Sequence, residues 1–195
     1  MADTRQAVAD ALEALSENLP LDRITVRDLT SRCGIARQTF YYYFHDIYDV
    51  VEWFFRQAVE TALGECHGME DWPTGYLLLL RFMQQHKTLV TNIYRSVRRE
   101  YVDYFMNRML LRYVQPLATQ AAEGMNVTQE QAEFVARFYT LALNNISLDW
   151  IRNGMKESPA ALADKASTLL RGTFQKSLSN FQQQNAGKTY TFRKV

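Results

Sequence analysis

Residues 24–44, "ITVRDLTSRCGIARQTFYYYF", decide how the rest of the chain is understood. Three tyrosines stand between two phenylalanines, shortly after a Cys-Gly break. Such a run suits an aromatic core segment, a strand, or a surface built to touch a partner. Local signals choose a helical setting. Thr25 with Asp28 three residues on is a capping-box start, and Gly34 after Cys33 is a helix C-cap or tight turn. The spacing predicts a two-turn helix over 25–33, a turn at Gly34, and a second short helix over 36–44.

Helical phase then sorts the aromatic run. Phe40 and Phe44 share one face. Gln38 and Tyr42 lie about 140° and 180° from its centre, Thr39 and His45 near 120°, and Tyr41 and Tyr43 at its edges near 80°. A helix this short in a small domain cannot bury every side. The phenylalanines therefore anchor it, and Gln38, Thr39 and Tyr42 project outward, with Arg37 in the first turn. Their chemistry suits DNA. Arg37 matches guanine O6 and N7, and Gln38 matches adenine N6 and N7, each good pair discriminating by ~1–3 kcal/mol. Thr39, the tyrosine hydroxyls and the N–H groups opening both short helices suit phosphate oxygens.

Working outward, Val8, Leu12, Leu15 and Leu19 form the stripe of an amphipathic first helix that Pro20 ends. One longer helix and two short ones joined at a glycine make a helix-turn-helix unit. Asp46 caps a connecting helix over 46–63. The segment 64–73, "GECHGMEDWP", is the best internal boundary. Helical patterns follow at about 74–86, 88–97 and 100–123, where Pro116 is expected to kink or split the helix. Thr128 with Gln131 repeats the capping box and opens a helix to Asn153. Ser158-Pro159 opens a last helix at about 159–182. The fold class is all-α: residues 1–47 as the helix-turn-helix domain, 48–182 as a helical regulatory and dimerisation domain, and 183–195 as a flexible tail.

Bulk properties exclude several classes. The 195 residues carry a net charge of +1, with 47% hydrophobic and 22% charged residues. Two cysteines, Cys33 and Cys66, are too few for a disulfide framework or a structural zinc site. No signal peptide and no membrane-spanning run is present, so a cytoplasmic protein is expected. There is no phosphate-binding glycine loop, serine elbow or His-Glu-x-x-His, so no enzyme is expected. His45, His67 and His86 are not spaced as a helical metal pair. Cys66-His67 suits a boundary loop better than a metal site, and no metal or cofactor is expected.

Residues 24–55, "ITVRDLTSRCGIARQTFYYYFHDIYDVVEWFF", closely resemble the DNA-binding domain of the TetR family of one-component transcriptional regulators. The resemblance extends over about residues 5–60. It implies that Arg37, Gln38 and Tyr42 contact bases, that Thr25, Thr39, Tyr41 and Tyr43 hold phosphates, and that Arg27 does either. His45 stands where a further basic residue is common. At Ile47 the family usually has a phosphate-binding lysine. Residues 1–47 hold five arginines against seven acids, but 23–45 hold four arginines against Asp28 alone, so DNA affinity should rest on a small patch.

The resemblance implies operator DNA as partner and a homodimer. The apolar breadth of helices 129–153 (Val135, Phe138, Tyr139, Ala142, Ile146, widened by Phe134, Leu141, Leu148 and Trp150) and 159–182 independently suggests a four-helix interface. Middle helices rich in Met and aromatics suggest either plain core or a pocket for a small apolar or aromatic effector, lined by Tyr76, Phe82, Met83, His86, Tyr101, Tyr104, Phe105, Met109 and Phe138. Residues 150–165, "WIRNGMKESPAALADK", resemble a subgroup related to dihydroxyacetone-kinase operon regulators. The family resemblance implies a repressor controlled by a small-molecule effector, whereas the subgroup resemblance implies regulation through a protein partner and activation. The alternative is an activator or interaction module controlled by a protein partner, with weak or no DNA binding of its own.

Overall fold

The structure, a computed structural model, describes residues 4–64, 71–96 and 99–187, with the side chains of 99–101 excepted. Ten α-helices and no strand are found among the described residues: α1 (Thr4–Ser16), α2 (Val26–Cys33), α3 (Arg37–Tyr43), α4 (Ile47–Leu63), α5 (Trp72–Gln85), α6 (Lys87–Ser96), α7 (Arg99–Ala121), α8 (Gln129–Arg152), α9 (Pro159–Leu170) and α10 (Thr173–Asn185). The all-α expectation holds. Cys66 and His67 lie outside the described residues.

Both capping boxes form as their sequences require. At α2 the Thr25 hydroxyl accepts from the Asp28 N–H, and the Asp28 carboxylate accepts from the Thr25 N–H; Thr128 and Gln131 do the same at α8. Those bonds hold the Asp28 carboxyl below its ordinary pKa, the side-chain bond from Thr25 being the larger cause. Gly34 closes α2 at φ 66°, a left-handed conformation that glycine adopts without strain.

Four expectations change. Helix α1 stops at Ser16, and Leu19 leaves the apolar stripe for the surface: the Leu15 carbonyl accepts from both Asn18 and Leu19, turning the chain outward. Pro116 does not split α7; it and Arg112, the residue whose carbonyl would have taken the missing N–H, both lie on the exposed side. The helix expected over 159–182 is two helices, because Gly172 at φ 70° breaks it and starts α10 in a new direction. Residues 183–185 belong to α10, whose Asn185 side chain donates to the Asn126 carbonyl and to Gln131; residues 188–195 lie outside the described part.

The core is continuous across residue 47. Val8, Leu12, Leu29, Phe40 and Phe44 belong to the same buried cluster as Trp53, Leu80, Leu89 and Ile151. Helices α7 and α8 form the main hairpin, with α10 laid on α8. The α8–α9 turn is tightly built. Gly154 and Met155 are both left-handed, the Met155 side chain is buried, and the Trp150 indole N–H donates to the Glu157 carbonyl at 2.9 Å. On α8 the broad apolar stripe divides. Val135, Tyr139, Leu148 and Trp150 are buried, whereas Phe134, Phe138 and Leu141 stay exposed, as does Leu169 near the end of α9.

One side chain of α6 holds the α1–α2 connection. Asn92 on α6 accepts from the Leu21 N–H at 2.8 Å and donates to the carbonyls of Leu19 at 2.6 Å and Ser16 at 3.1 Å. Ser96 donates to the same Asn92 oxygen. Three backbone groups of the α1–α2 connection thus depend on one amide. Asn92→Ala should cost ~2–3 kcal/mol in denaturant unfolding and speed hydrogen exchange at the Leu21 amide, since each net bond is worth ~1 kcal/mol; unchanged stability and exchange would contradict this role.

Candidate nucleic-acid interface

Helix α3 rests on its two phenylalanines. Phe40 and Phe44 are buried, their ring centroids 5.7 Å apart, and Phe44 meets the edge of Trp53 at 6.3 Å. Burying the inner face fixes the outer one. Arg37, Gln38 and Tyr41 are exposed, and Tyr42 is 82% exposed, the extreme that helical phase requires. Thr39 and Tyr43 are half-buried at the edges. Arg27 on α2 and His45 after α3 are also exposed.

The exposed groups hold one another. A guanidinium nitrogen of Arg37 donates to the Tyr41 hydroxyl at 3.4 Å, and the guanidinium lies 6.0 Å from that ring's centroid. The rings of Tyr42 and Tyr43 meet edge to face at 4.9 Å. Arg5 of α1 lies 5.5 Å from the Tyr43 ring centroid, a neighbour that sequence spacing alone did not suggest. This arrangement presents a forked cation, an amide and two phenols on one protruding helix, a set able to match base edges and phosphates. The Thr25 hydroxyl donates to the Asp28 carboxylate at 2.6 Å, so its proton is engaged within the capping box.

The start of α4 is acidic where the family's lysine would stand. Ile47 is half-buried and packs against the core. Asp46 accepts from the Asp49 N–H at 2.9 Å, and Asp49 accepts from the His45 N–H at 3.0 Å. Asp49 also lies 3.4 Å from the His45 ring. Two carboxylates therefore take the anion-favouring positions of this helix end. The sequence shows these acids, but only the structure shows them bonded to the N–H groups of this helix end.

Interior space is small. A cavity of about 30 Å³ is bounded by Met83 and Phe105 among others, and one of about 20 Å³ by Tyr76, Phe82 and Met83. Preformed ligand sites measure ~300–1,000 Å³, at least about ten times as much. The other expected pocket residues lie elsewhere. His86 caps the end of α5, bonds Glu13 of α1 and meets the ring of Phe54 edge to face and that of Phe82 at a tilt. Met109 packs against Val59, Ala62 and Leu79. Tyr104 and Phe138 are exposed, because their positions on α7 and α8 face away from the interior. The Tyr101 side chain lies outside the described residues.

Residues 70–172 match the family model for the TetR-type transcriptional regulator C-terminal region. The chain belongs to the TetR family. It is similar to the HTH-type dhaKLM operon transcriptional activator DhaS of Lactococcus lactis subsp. lactis (strain IL1403), 26% identical over 91 residues. That alignment covers 47% of this chain and 49% of the relative, about half of each. Among solved structures, the dihydroxyacetone kinase operon activator DhaS superposes at TM-score 0.70 with 20% identity, covering 90% of this chain and 98% of that one. The fatty acid degradation regulator FadR from Bacillus halodurans gives 0.63 at 17% identity, covering 87% and 95%. The repressor AlkX from Dietzia sp. strain DQ12-45-1b gives 0.56 at 20% identity, covering 91% and 98%. These relatives are named as regulators and none as an enzyme. No helix is long and apolar enough to cross a membrane, and no cluster able to hold a metal is found, both among the described residues.

The acidic start of α4 makes a direct prediction. Ile47→Lys should tighten binding to a non-specific duplex several-fold and steepen its salt dependence by about one unit of log K against log salt, as one added phosphate contact does. Titration at several salt concentrations checks it, and an unchanged slope would show that this helix end does not face phosphate.

Proposed function

We propose that the protein is a sequence-specific, DNA-binding transcriptional regulator acting as a homodimer. The observation that carries this reading is the outward face of α3: Arg37, Gln38 and Tyr42 project from a helix whose opposite face is pinned by Phe40 and Phe44. In this reading those three meet base edges in the major groove. Thr39, Tyr41, Tyr43 and His45 hold phosphates, together with the N–H groups at the start of α2, and Arg27 reaches either a base or a phosphate. Thr25 serves through its capping of that helix. Residues 1–47 act as the reader and 48–182 as the regulatory part.

The dimer rests on α8 and α9. Phe134, Phe138 and Leu141 lie at i, i+4 and i+7 on α8, Phe138 58% exposed, and Leu169 on α9 is 71% exposed. Large apolar side chains left exposed in this way favour burial against a second copy. A two-fold dimer would present its two α3 helices to half-sites about one helical turn, ~34–36 Å, apart. Repression follows if the operator overlaps a promoter. Activation is the second reading, favoured by the similarity to DhaS, whose name describes an operon activator. A cytoplasmic site fits either reading.

Two measurements test the proposal. Arg37→Ala with Tyr42→Ala should lower operator affinity at least a hundredfold with the helical circular dichroism unchanged; retained binding refutes the reader surface. Phe138→Glu with Leu169→Glu should convert the dimer to a folded monomer in sedimentation, and a persisting dimer would place the interface elsewhere.

A further inference from the structure

The outermost tyrosine of α3 is held at one point. Tyr42 is 82% exposed, and among the described residues its ring meets one other, that of Tyr43, edge to face with centroids 4.9 Å apart. It stands one residue before the end of a seven-residue helix, so no helical residue three or four positions on can cover it. Tyr43 is better supported. It is half-buried and packs against the main core cluster. Over its ring lies the guanidinium of Arg5, 5.5 Å from the centroid. The order of support therefore runs from Arg5 to Tyr43 to Tyr42.

Arg5 can fix a ring because its own helix is fixed. It stands in the first turn of α1, and Val8, Ala9 and Leu12 on the turns that follow are buried. Further along, Glu13 bonds His86 at the end of α5. A cation is drawn to the electron-rich face of a phenol, so the contact joins the start of α1 to the end of α3. The other pair of this kind, Arg37 with Tyr41, lies within α3 and holds one of its residues to another. A tyrosine with no support samples several rotamers, and ordering it on a partner lowers affinity. A ring fixed beforehand avoids that loss.

We propose that Arg5 is a positioning residue for sequence reading: its guanidinium holds the Tyr43 ring, and that ring holds Tyr42 in the rotamer that meets a base. The inference rests on the reading of α3 as the helix that contacts base edges. Because Arg5 acts through Tyr42, its effect falls on the choice of sequence. A phosphate contact acts otherwise. It strengthens binding to every duplex alike and steepens the salt dependence. The residues that decide specificity thus extend beyond 23–45 to the first turn of α1.

The test is the ratio of affinities for a selected operator and a non-specific duplex, measured with the full-length protein. Arg5→Gln should lower that ratio about two- to fivefold, the range an exposed cation–π contact supplies. Tyr43→Leu should lower it at least as much, and the double variant no further than Tyr43→Leu alone. Arg5→Lys, which keeps a cation over the ring, should restore most of the ratio. In the free protein, Arg5→Gln should move the carbon–proton ring signals of Tyr43 and Tyr42 and leave those of Tyr41 in place. An unchanged ratio in Arg5→Gln, with affinity for both duplexes reduced alike, would make Arg5 a phosphate contact and overturn the proposal. Additive losses in the double variant, or unmoved Tyr42 signals, would also overturn it. In a protein that prefers no duplex the reading of α3 itself fails, and the ring signals alone then decide whether Arg5 holds Tyr42.

Discussion

Everything about the reader depends on how Phe40 and Phe44 are held. The two rings fill the space between α1, α2 and the start of α4, and Trp53 closes it from α4. Truncating one such ring typically costs ~3–5 kcal/mol, so the orientation of α3 is enforced by the same energy that stabilises the domain. With the inner face fixed, Tyr42 has nowhere to go but outward, and Arg37 and Gln38 follow from the helical period. The left-handed Gly34 contributes the angle, turning the chain between α2 and α3 at a place where a side chain would strain the backbone.

The reader is nevertheless not a free unit. Its hydrophobic residues belong to a cluster that runs on into α5, α6, α8 and α9, and two polar ties reinforce the junction: Asn92 with the α1–α2 connection, and His86 with Glu13. A shift of α5 or α6 in the proposed regulation would therefore pull on α1 directly, as well as through α4. The cavities near Met83 are too small for a preformed effector, so control through them would require the helices to part. The surfaces already exposed, on α8 and at Leu169, suit a second copy of the chain.

The sequence made the local devices legible and left the long-range ones hidden. Thr25 with Asp28, Thr128 with Gln131 and the Phe40–Phe44 spacing act within one turn of helix, so pattern and outcome coincide. Leu19 matched the period of α1 but fell outside it, because a turn at Leu15 and the amide of Asn92, more than seventy positions away, set where the chain goes. Gly172 falls inside the continuous pattern over 159–182, and only its left-handed backbone shows the break. The expected effector residues share only a side-chain type; which side of α7 or α8 each one faces is a tertiary fact, and it sends Tyr104 and Phe138 to the surface. Arg5 carries no pattern that points to Tyr43. Only the fold brings the first turn of α1 to the end of α3.

The central claim is that the outer face of α3, doubled by a two-fold axis, reads a specific duplex. Selection from a random double-stranded oligonucleotide pool with the purified protein tests it most directly. The account predicts enrichment of one inverted repeat whose half-site centres lie about one helical turn apart. Recovery of no sequence above the starting pool, or of a single unrepeated site, would contradict it.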